Sequence, residues 1–329
     1  MHPHAPPTSV ADLPAQKMDA LMVDLDLSGA REGSDPVNYH GSTLASEMRM
    51  QHPACPIILV TRPHLTATKW QQEYLRQSNS LDLIINKDDV ISEPDEQRHA
   101  ISALAAGFKS LDRISGQDWE HSLVRGLMEA TESEENQLRE AAPPVSNNQW
   151  NVPQAAKWIR EVVMGFPGIL YDDLTAATRL GITLDSFKNP QVQEMMDSSR
   201  YRGVFGEYQE RWWRNRLLNV AQTIMLECGV SGPVSDQFRE AFGIQFSIGL
   251  DPAICIVDGT PTADWVCHVL RKPVKQQNSV PYYPDSRPSV MDQARVSFAA
   301  IKGSNAFDET LVDADSLDLV HALWEEDSH

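Results

Sequence analysis

Long apolar runs are missing from this chain of 329 residues: no stretch approaches the ~20 residues that a membrane-spanning helix needs. The opening Met1-His2-Pro3-His4-Ala5-Pro6-Pro7 has neither a charged n-region nor an apolar h-region. It does not read as a secretory signal, and a cytoplasmic location is expected. Cysteine is scarce. Cys55, Cys228, Cys255 and Cys267 form no C-x-x-C pair, which reads as reduced, mostly buried thiols. Cations are short as well, with 28 Lys and Arg against 46 Asp and Glu for a formal charge of −18. That charge opposes nonspecific binding to nucleic acid and to anionic lipid, both polyanions, so neither is expected as a partner. No Gly-rich phosphate loop, H-E-x-x-H, nucleophile elbow or kinase signature is present, and the residues propose no enzyme.

What is present suits a folded chain of about two domains, with 41% hydrophobic residues for more than one core. Residues 1–18 read as an irregular, Pro-rich arm. Over 19–128, short apolar runs (Ala20–Val23, Pro56–Val60, Leu81–Ile85) alternate with helical patterns (Ser42–Met50, Thr66–Arg76, Gln97–Leu111). Such alternation predicts an α/β domain, a parallel sheet with helices on its faces. Residues 129–150 read as an acidic helix running into the linker Ala142-Pro143-Pro144-Val145-Ser146-Asn147-Asn148. Residues 151–329 read as a mainly helical domain with a small β hairpin.

Three polar residues stand at the ends of successive apolar runs. Asp19-Ala20-Leu21-Met22-Val23-Asp24-Leu25-Asp26-Leu27-Ser28-Gly29 puts Asp24 after the first. Val60-Thr61 and Ile84-Ile85-Asn86-Lys87 do the same for Thr61 and Lys87, and Gly41–Leu44 supplies a Gly-x-x-Leu opening to the first helix. In order and spacing, residues 19–112, about a third of the chain, resemble the receiver domain of two-component response regulators. The resemblance implies that Asp24 accepts a phosphoryl group from a histidine kinase, that Thr61 is the switch hydroxyl and that Lys87 pairs with the phosphate. Such positions make chemical sense. Strands of an open parallel sheet deliver their C-terminal residues to one edge. A carboxylate there can attack a phosphohistidine to give an acyl phosphate, while a hydroxyl and an ammonium compensate the charge on the phosphoryl oxygens. In the family, movement of the hydroxyl is passed to the last strand and helix, here the face of Leu81–Ile85 and Gln97–Leu111.

The chain departs from the family at its start. A receiver opens with a strand, a helix and a second strand, and its first strand ends in an acidic pair that holds Mg²⁺. Only 18 residues precede Asp19, against about 30 for a strand–helix–strand crossover, and they hold one acid, Asp12. The expected fold is therefore an N-terminally truncated receiver. Asp24 with Asp26 is what remains for Mg²⁺, a poor set for a cation that takes several oxygens, though Glu32 or Asp35 could lean in. Truncation also turns the acceptor strand into an edge, and long apolar edges invite pairing. A cover over Leu21–Leu27 is expected: the C-terminal half, a second copy of the chain, or a partner protein's strand.

The second half carries weaker motifs. Asp172/Asp173 should cap a helix ended by Gly181, and a long helix is predicted from about Val204 to Cys228. Arg211-Trp212-Trp213-Arg214-Asn215-Arg216 reads as one amphipathic turn of it, Trp212 inward and Arg211, Trp213 and Arg214 outward. Asp172–Phe187 has a helix-turn-helix cadence, but the next segment, Pro190–Ser199, is acidic and Met-rich where a recognition helix needs cations or amides. Ala253–Val257 and Trp265–Leu270 read as a hairpin about Asp258-Gly259-Thr260-Pro261. In such a strand Cys267 and His268 point to opposite faces and make no joint site. Pro273–Arg287 reads as an aromatic, locally basic contact loop.

These readings add up to a response-regulator-like signalling protein whose output is a protein–protein contact, as in multi-gene bacterial regulatory or defence systems. Two alternatives stay open: a degenerate receiver that docks without phosphorylation, and a DNA-binding transcriptional regulator using Asp172–Phe187. An enzyme built on the C-terminal half would show as a deep polar pocket around the hairpin.

Overall fold

Leu21–Asp24 (β1), Ile57–Thr61 (β2) and Leu83–Asn86 (β3) form a parallel three-stranded sheet in the order β1-β2-β3. Leu21 pairs with Ile57, Asp24 with Val60, and Thr61 with Asn86. The computed structural model describes residues 18–24, 27, 41–61, 81–142, 150–284 and 287–326. The predicted helix Thr66–Arg76, the linker 143–149 and the residues Asp12, Asp26, Glu32 and Asp35 lie outside them. The central strand is the apolar one, with Ile57, Ile58 and Leu59 fully buried, as a strand covered on both faces requires. No strand among the described residues pairs with the far edge of β1.

Helix α1 (Gly41–Gln51) buries Leu44, Ala45 and Met48, spaced one and three, in a cluster with Val23, Leu27 and Ile57. Each such aliphatic side chain contributes ~1.5–3 kcal/mol. Helix α2 (Lys87–Ser92) starts where β3 stops, because the Asn86 side chain accepts the Asp88 N–H at 3.0 Å. Helix α3 (Pro94–Arg113) has its proline in the first turn, where no N–H is missed, and buries Leu104, Phe108 and Leu111. A π-helical segment, Trp119–Leu127, follows.

The chain divides into two compact units. The first draws on Met1–Glu129, Pro144–Trp158 and Arg202–Tyr208, the second on Ala130–Pro143, Ile159–Tyr201 and Gln209–His329. Helix α4 (Glu132–Ala141) belongs to the second unit and α5 (Val152–Lys157) to the first. In the first unit Phe205 sits edge-on to Phe108, ring centroids 6.1 Å apart.

The second unit has two cores. One packs Trp212, Phe187, Met196, Leu217, Phe238 and Phe242 among a two-stranded ribbon, β4 (Leu170–Tyr171) with β5 (Trp212–Trp213), and five helices. Those are α6 (Asp173–Arg179), α7 (Leu184–Phe187), α8 (Pro190–Met196), α9 (Arg214–Glu227) and α10 (Val234–Phe246). The other core gathers β6 (Trp265–Val266) with β7 (Pro273–Val274) and β8 (Ser279–Pro281) with β9 (Arg295–Ser297). Helices α11 (Phe298–Gly303) and α12 (Leu317–Glu326) complete it. The architecture is mixed α/β, with helices dominant and small antiparallel hairpins in the second unit.

Two expectations are corrected. The helix from Val204 to Cys228 begins only at Arg214: Phe205 is left-handed at φ 66°, and Trp212 and Trp213 pair as a strand with Tyr171 and Leu170. Side chains apolar at helical spacing there serve a turn and a ribbon. The hairpin is also shifted. Asp258 Oδ1 accepts from the Thr260 N–H at 3.0 Å and hydroxyl at 2.6 Å, and the Cys255 N–H donates to the Thr260 carbonyl at 2.8 Å. This turn bends Ala253–Val257 out of strand geometry, and Trp265–Val266 pairs with Pro273–Val274 instead.

Candidate functional site

Parallel strands end on one rim, and the first unit's rim carries all three residues singled out from the sequence. Asp24 closes β1, Thr61 closes β2, and Lys87 opens α2 one residue beyond β3. Lys87 Nζ donates to Asp24 Oδ2 at 2.5 Å, with side chains 33% and 29% exposed. Thr61 lies between them on the middle strand; it is 2% exposed, and its hydroxyl has no hydrogen-bond partner among the described residues. A buried hydroxyl left unmatched costs ~1–3 kcal/mol.

Gly41 explains why α1 can start so close to this rim. A Cβ at that position would fall 2.0 Å from the Asp24 carbonyl oxygen and 3.0 Å from Val23 Cγ1, so only glycine lets the helix pack on the end of β1. Leu44, three residues on, is buried beneath it.

The opposite rim is tied differently. Asp82 Oδ2 accepts the Ile57 N–H at 2.7 Å and pairs with Arg49, whose guanidinium also donates to the carbonyls of Cys55, at 2.9 Å, and Pro53, at 3.0 Å. Burial pushes the Cys55 thiol up to about 11, against the pull of Arg49 in the other direction.

Among the described residues no three His, Cys, Asp or Glu gather as a metal set. Asp24 alone falls short of the several oxygens Mg²⁺ takes, and Asp26 lies outside the described residues.

In the second unit the motif readings resolve into internal contacts. Asp172 caps α6, taking the Thr175 N–H at 2.8 Å. Burial acts to raise its pKa, but Arg271 and the Thr175 hydrogen bond outweigh that and hold it below the usual carboxylate range. Trp213 is 1% exposed, so the outward reading of that residue is corrected. The cations of the Arg/Trp segment have partners within the unit: Arg216 lies 4.9 Å from the Trp213 ring centroid and grips Glu134 bidentately at 2.8 and 2.6 Å. Cys267 is buried as an acceptor, 3.2 Å from the Ser297 hydroxyl, while the His268 ring lies 5.7 Å from that of Tyr282.

One cluster had no local signal in the sequence. Asp292 accepts from Arg179 at 2.5 Å and Tyr171 Oη at 3.1 Å on one oxygen, and from Arg214 at 3.3 Å on the other. Its loop is delivered by Gly168, where a Cβ would stand 2.6 Å from Met291 Cα, and by the Asp292 N–H bonded to the Pro167 carbonyl at 2.8 Å. The Arg179 guanidinium lies 3.9 Å from the Trp265 ring centroid. Four residues from separate parts of the chain make this cluster, and no spacing rule joins them.

Comparison with known proteins returns no match to a family model, a curated protein or a solved structure. No helix among the described residues is long and apolar enough to cross a membrane.

Proposed function

We propose that the first unit is a receiver-like phosphoacceptor module and that the chain transduces a signal into a protein–protein contact. The observation that carries this reading is the Lys87–Asp24 contact on the strand-end rim. Asp24, as carboxylate, attacks the phosphorus of a phosphohistidine on a histidine kinase. The new P–O bond gives an acyl phosphate, the P–N bond breaks, and the departing imidazole nitrogen takes up a proton. Lys87 transfers its ion pair from the carboxylate to the phosphoryl oxygens. Thr61 then donates its unmatched hydroxyl to one of those oxygens, so the transfer removes a cost already stored in the resting protein. No step runs through Mg²⁺.

Movement at Thr61 acts on its neighbour β3 and, as in the family it resembles, passes on to α3, which makes that face the output surface. The outer edge of β1, which no described strand pairs with, is the natural seat for a second copy or a partner strand. Intact-mass measurement after incubation with acetyl phosphate, with and without Mg²⁺, tests the reading. A phosphate adduct in the wild type that is absent from Asp24→Asn supports it. No adduct under either condition leaves the docking adaptor. A mobility shift that falls steeply with salt would instead favour the DNA-binding regulator.

A further inference from the structure

One aromatic residue of the first unit is held in a backbone conformation that its side chain disfavours. Phe205 has φ 66°, in the left-handed region where a Cβ crowds the neighbouring carbonyl. Strain of this kind persists only where the surroundings over-determine the position. Here the determinant is Gly107 on α3. A Cβ at Gly107 would overlap Cε1 and Cδ1 of Phe205, so the ring lies against bare helix backbone and any side chain there would expel it. Phe205 is 3% exposed in this notch.

The ring is the centre of a short strap, Arg202–Tyr208. The strap folds on itself, the Gly206 N–H donating to the Gly203 carbonyl and the Tyr208 N–H to the Phe205 carbonyl, both at 2.9 Å. It is fastened to the unit by the Val204 N–H on the Leu127 carbonyl at 2.8 Å, and His99 Nε2 lies 3.1 Å from the Glu207 carbonyl oxygen. His99 and Gly107 stand about two turns apart on α3, so the strap follows that helix for roughly 12 Å. It comes from a distant part of the chain: the residues before it, to Tyr201, and after it, from Gln209, belong to the second unit. The strap can therefore lift without unravelling any helix or strand of the first unit. A segment held under strain by one ring in a notch opens at lower cost than the core strands.

The trigger rests on the phosphoacceptor reading; the notch and its strap do not. Lys87, which pairs with Asp24, is also the first residue of α2. The Glu93 N–H bonds to the Asp89 carbonyl at 2.9 Å and the Gln97 N–H to the Glu93 carbonyl at 3.1 Å, so α2 runs into α3 through a single residue. A shift of Lys87 toward a phosphoryl group pulls on the helix that carries the notch. We propose that Arg202–Tyr208 is a latch that closes α3 in the resting protein, with Phe205 as its bolt, and that phosphoryl transfer to Asp24 releases it.

Hydrogen exchange of the full chain, read by mass spectrometry, tests this, with the Asp24 adduct counted by intact mass in the same samples. The amides of 202–208 are expected to exchange slowly in the resting wild type. They should exchange at least tenfold faster once acetyl phosphate has transferred its phosphoryl group, acetate leaving, and should not respond in Asp24→Asn. Phe205→Gly removes the ring and suits the left-handed backbone, and Gly107→Ala fills the notch. Both variants should exchange fast over 202–208 without acetyl phosphate, while β2 stays protected. Slow exchange over 202–208 in Phe205→Gly overturns the latch, since something other than the ring then holds the strap. Loss of protection in β2 together with the strap in that variant also overturns it, making Phe205 a core residue of the whole unit. An adduct that leaves 202–208 unchanged overturns the release and spares phosphoacceptance. Absence of any adduct overturns the trigger along with the phosphoacceptor reading, and the two variants still decide the latch.

Discussion

Lys87 and Asp24 are 63 residues apart in sequence and meet across the full width of a sheet whose middle strand separates them, ammonium to carboxylate at 2.5 Å. Both side chains are about a third exposed, so water screens the pair and its worth to folding is small, ~0.2–1 kcal/mol. Lys87→Ala is therefore expected to lower stability in a urea melt by less than about 1 kcal/mol while slowing phosphate uptake from acetyl phosphate at least tenfold. A large stability loss with unchanged uptake would make Lys87 a structural strut and remove its proposed role.

Thr61 gives a prediction of opposite sign for folding and for function. Its hydroxyl is buried without a partner, and valine has the same shape without the polar atom. Thr61→Val should leave the resting protein as stable as the wild type or stabilise it by about 1 kcal/mol, because the unmatched group is gone. The same variant should hold an acyl phosphate without transmitting it, read as an unchanged adduct mass with no change in hydrogen exchange over α3. Destabilisation by more than about 1 kcal/mol would mean that the hydroxyl has a partner in the resting fold.

The strand-end rim was legible from the sequence because every signal for it is local. Apolar runs of four or five residues mark β1, β2 and β3, each ends in a polar residue, and Gly41 with Leu44 marks the helix that packs on the first. The second unit was less legible because its structure is set by distant contacts. Trp212 and Trp213 lie in a segment with helical spacing, yet pairing with Leu170 and Tyr171 makes them a ribbon. Ala253–Val257 has strand composition, yet the Asp258–Thr260 turn bends it away. The Asp292 cluster joins residues 171, 179, 214 and 292, and periodicity carries no information about such a meeting. Short helices such as α2 and α7 depend on the Asn86 and Thr183 caps more than on any apolar stripe.

Asp292 should be a strongly stability-sensitive acid of the second unit. Its side chain is 14% exposed, and those of Arg179 and Arg214 are 18% and 23% exposed, so little water reaches the trio. Asp292→Asn keeps the shape and removes the charge, leaving two guanidinium groups close together without their anion. Breaking a largely buried pair on one side costs ~3–5 kcal/mol, and the residual exposure places this variant near 3. A urea melt checks it, with Arg98→Ala as the contrast. The Arg98–Asp95 pair is 71% and 89% exposed and should change stability by no more than a few tenths of a kcal/mol. Equal effects of the two variants would show that burial does not set the strength of these pairs.

Cys55 makes the alkaline limb of stability measurable. Burial raises its thiol from 9.0 to about 11 in the folded chain, with Arg49 opposing and Asp82 adding to the shift. An unfolded chain therefore loses this proton before the folded one does. Between those two values the folded state binds more protons, and stability falls as pH rises. Below pH 9 the contribution is complete; by about pH 11 it is lost, amounting to about 2–3 kcal/mol for a shift of about two units. Cys55→Ala removes the group and adds a pH-independent packing penalty. The difference in unfolding free energy between wild type and variant should thus be flat up to pH 9 and shrink steadily from there to pH 11, whatever the lysines and tyrosines common to both chains contribute. A difference that stays constant over that interval would mean that the thiol ionises as readily in the folded protein as in the unfolded chain, and that the pocket formed by Cys55, Arg49 and Asp82 is open to water.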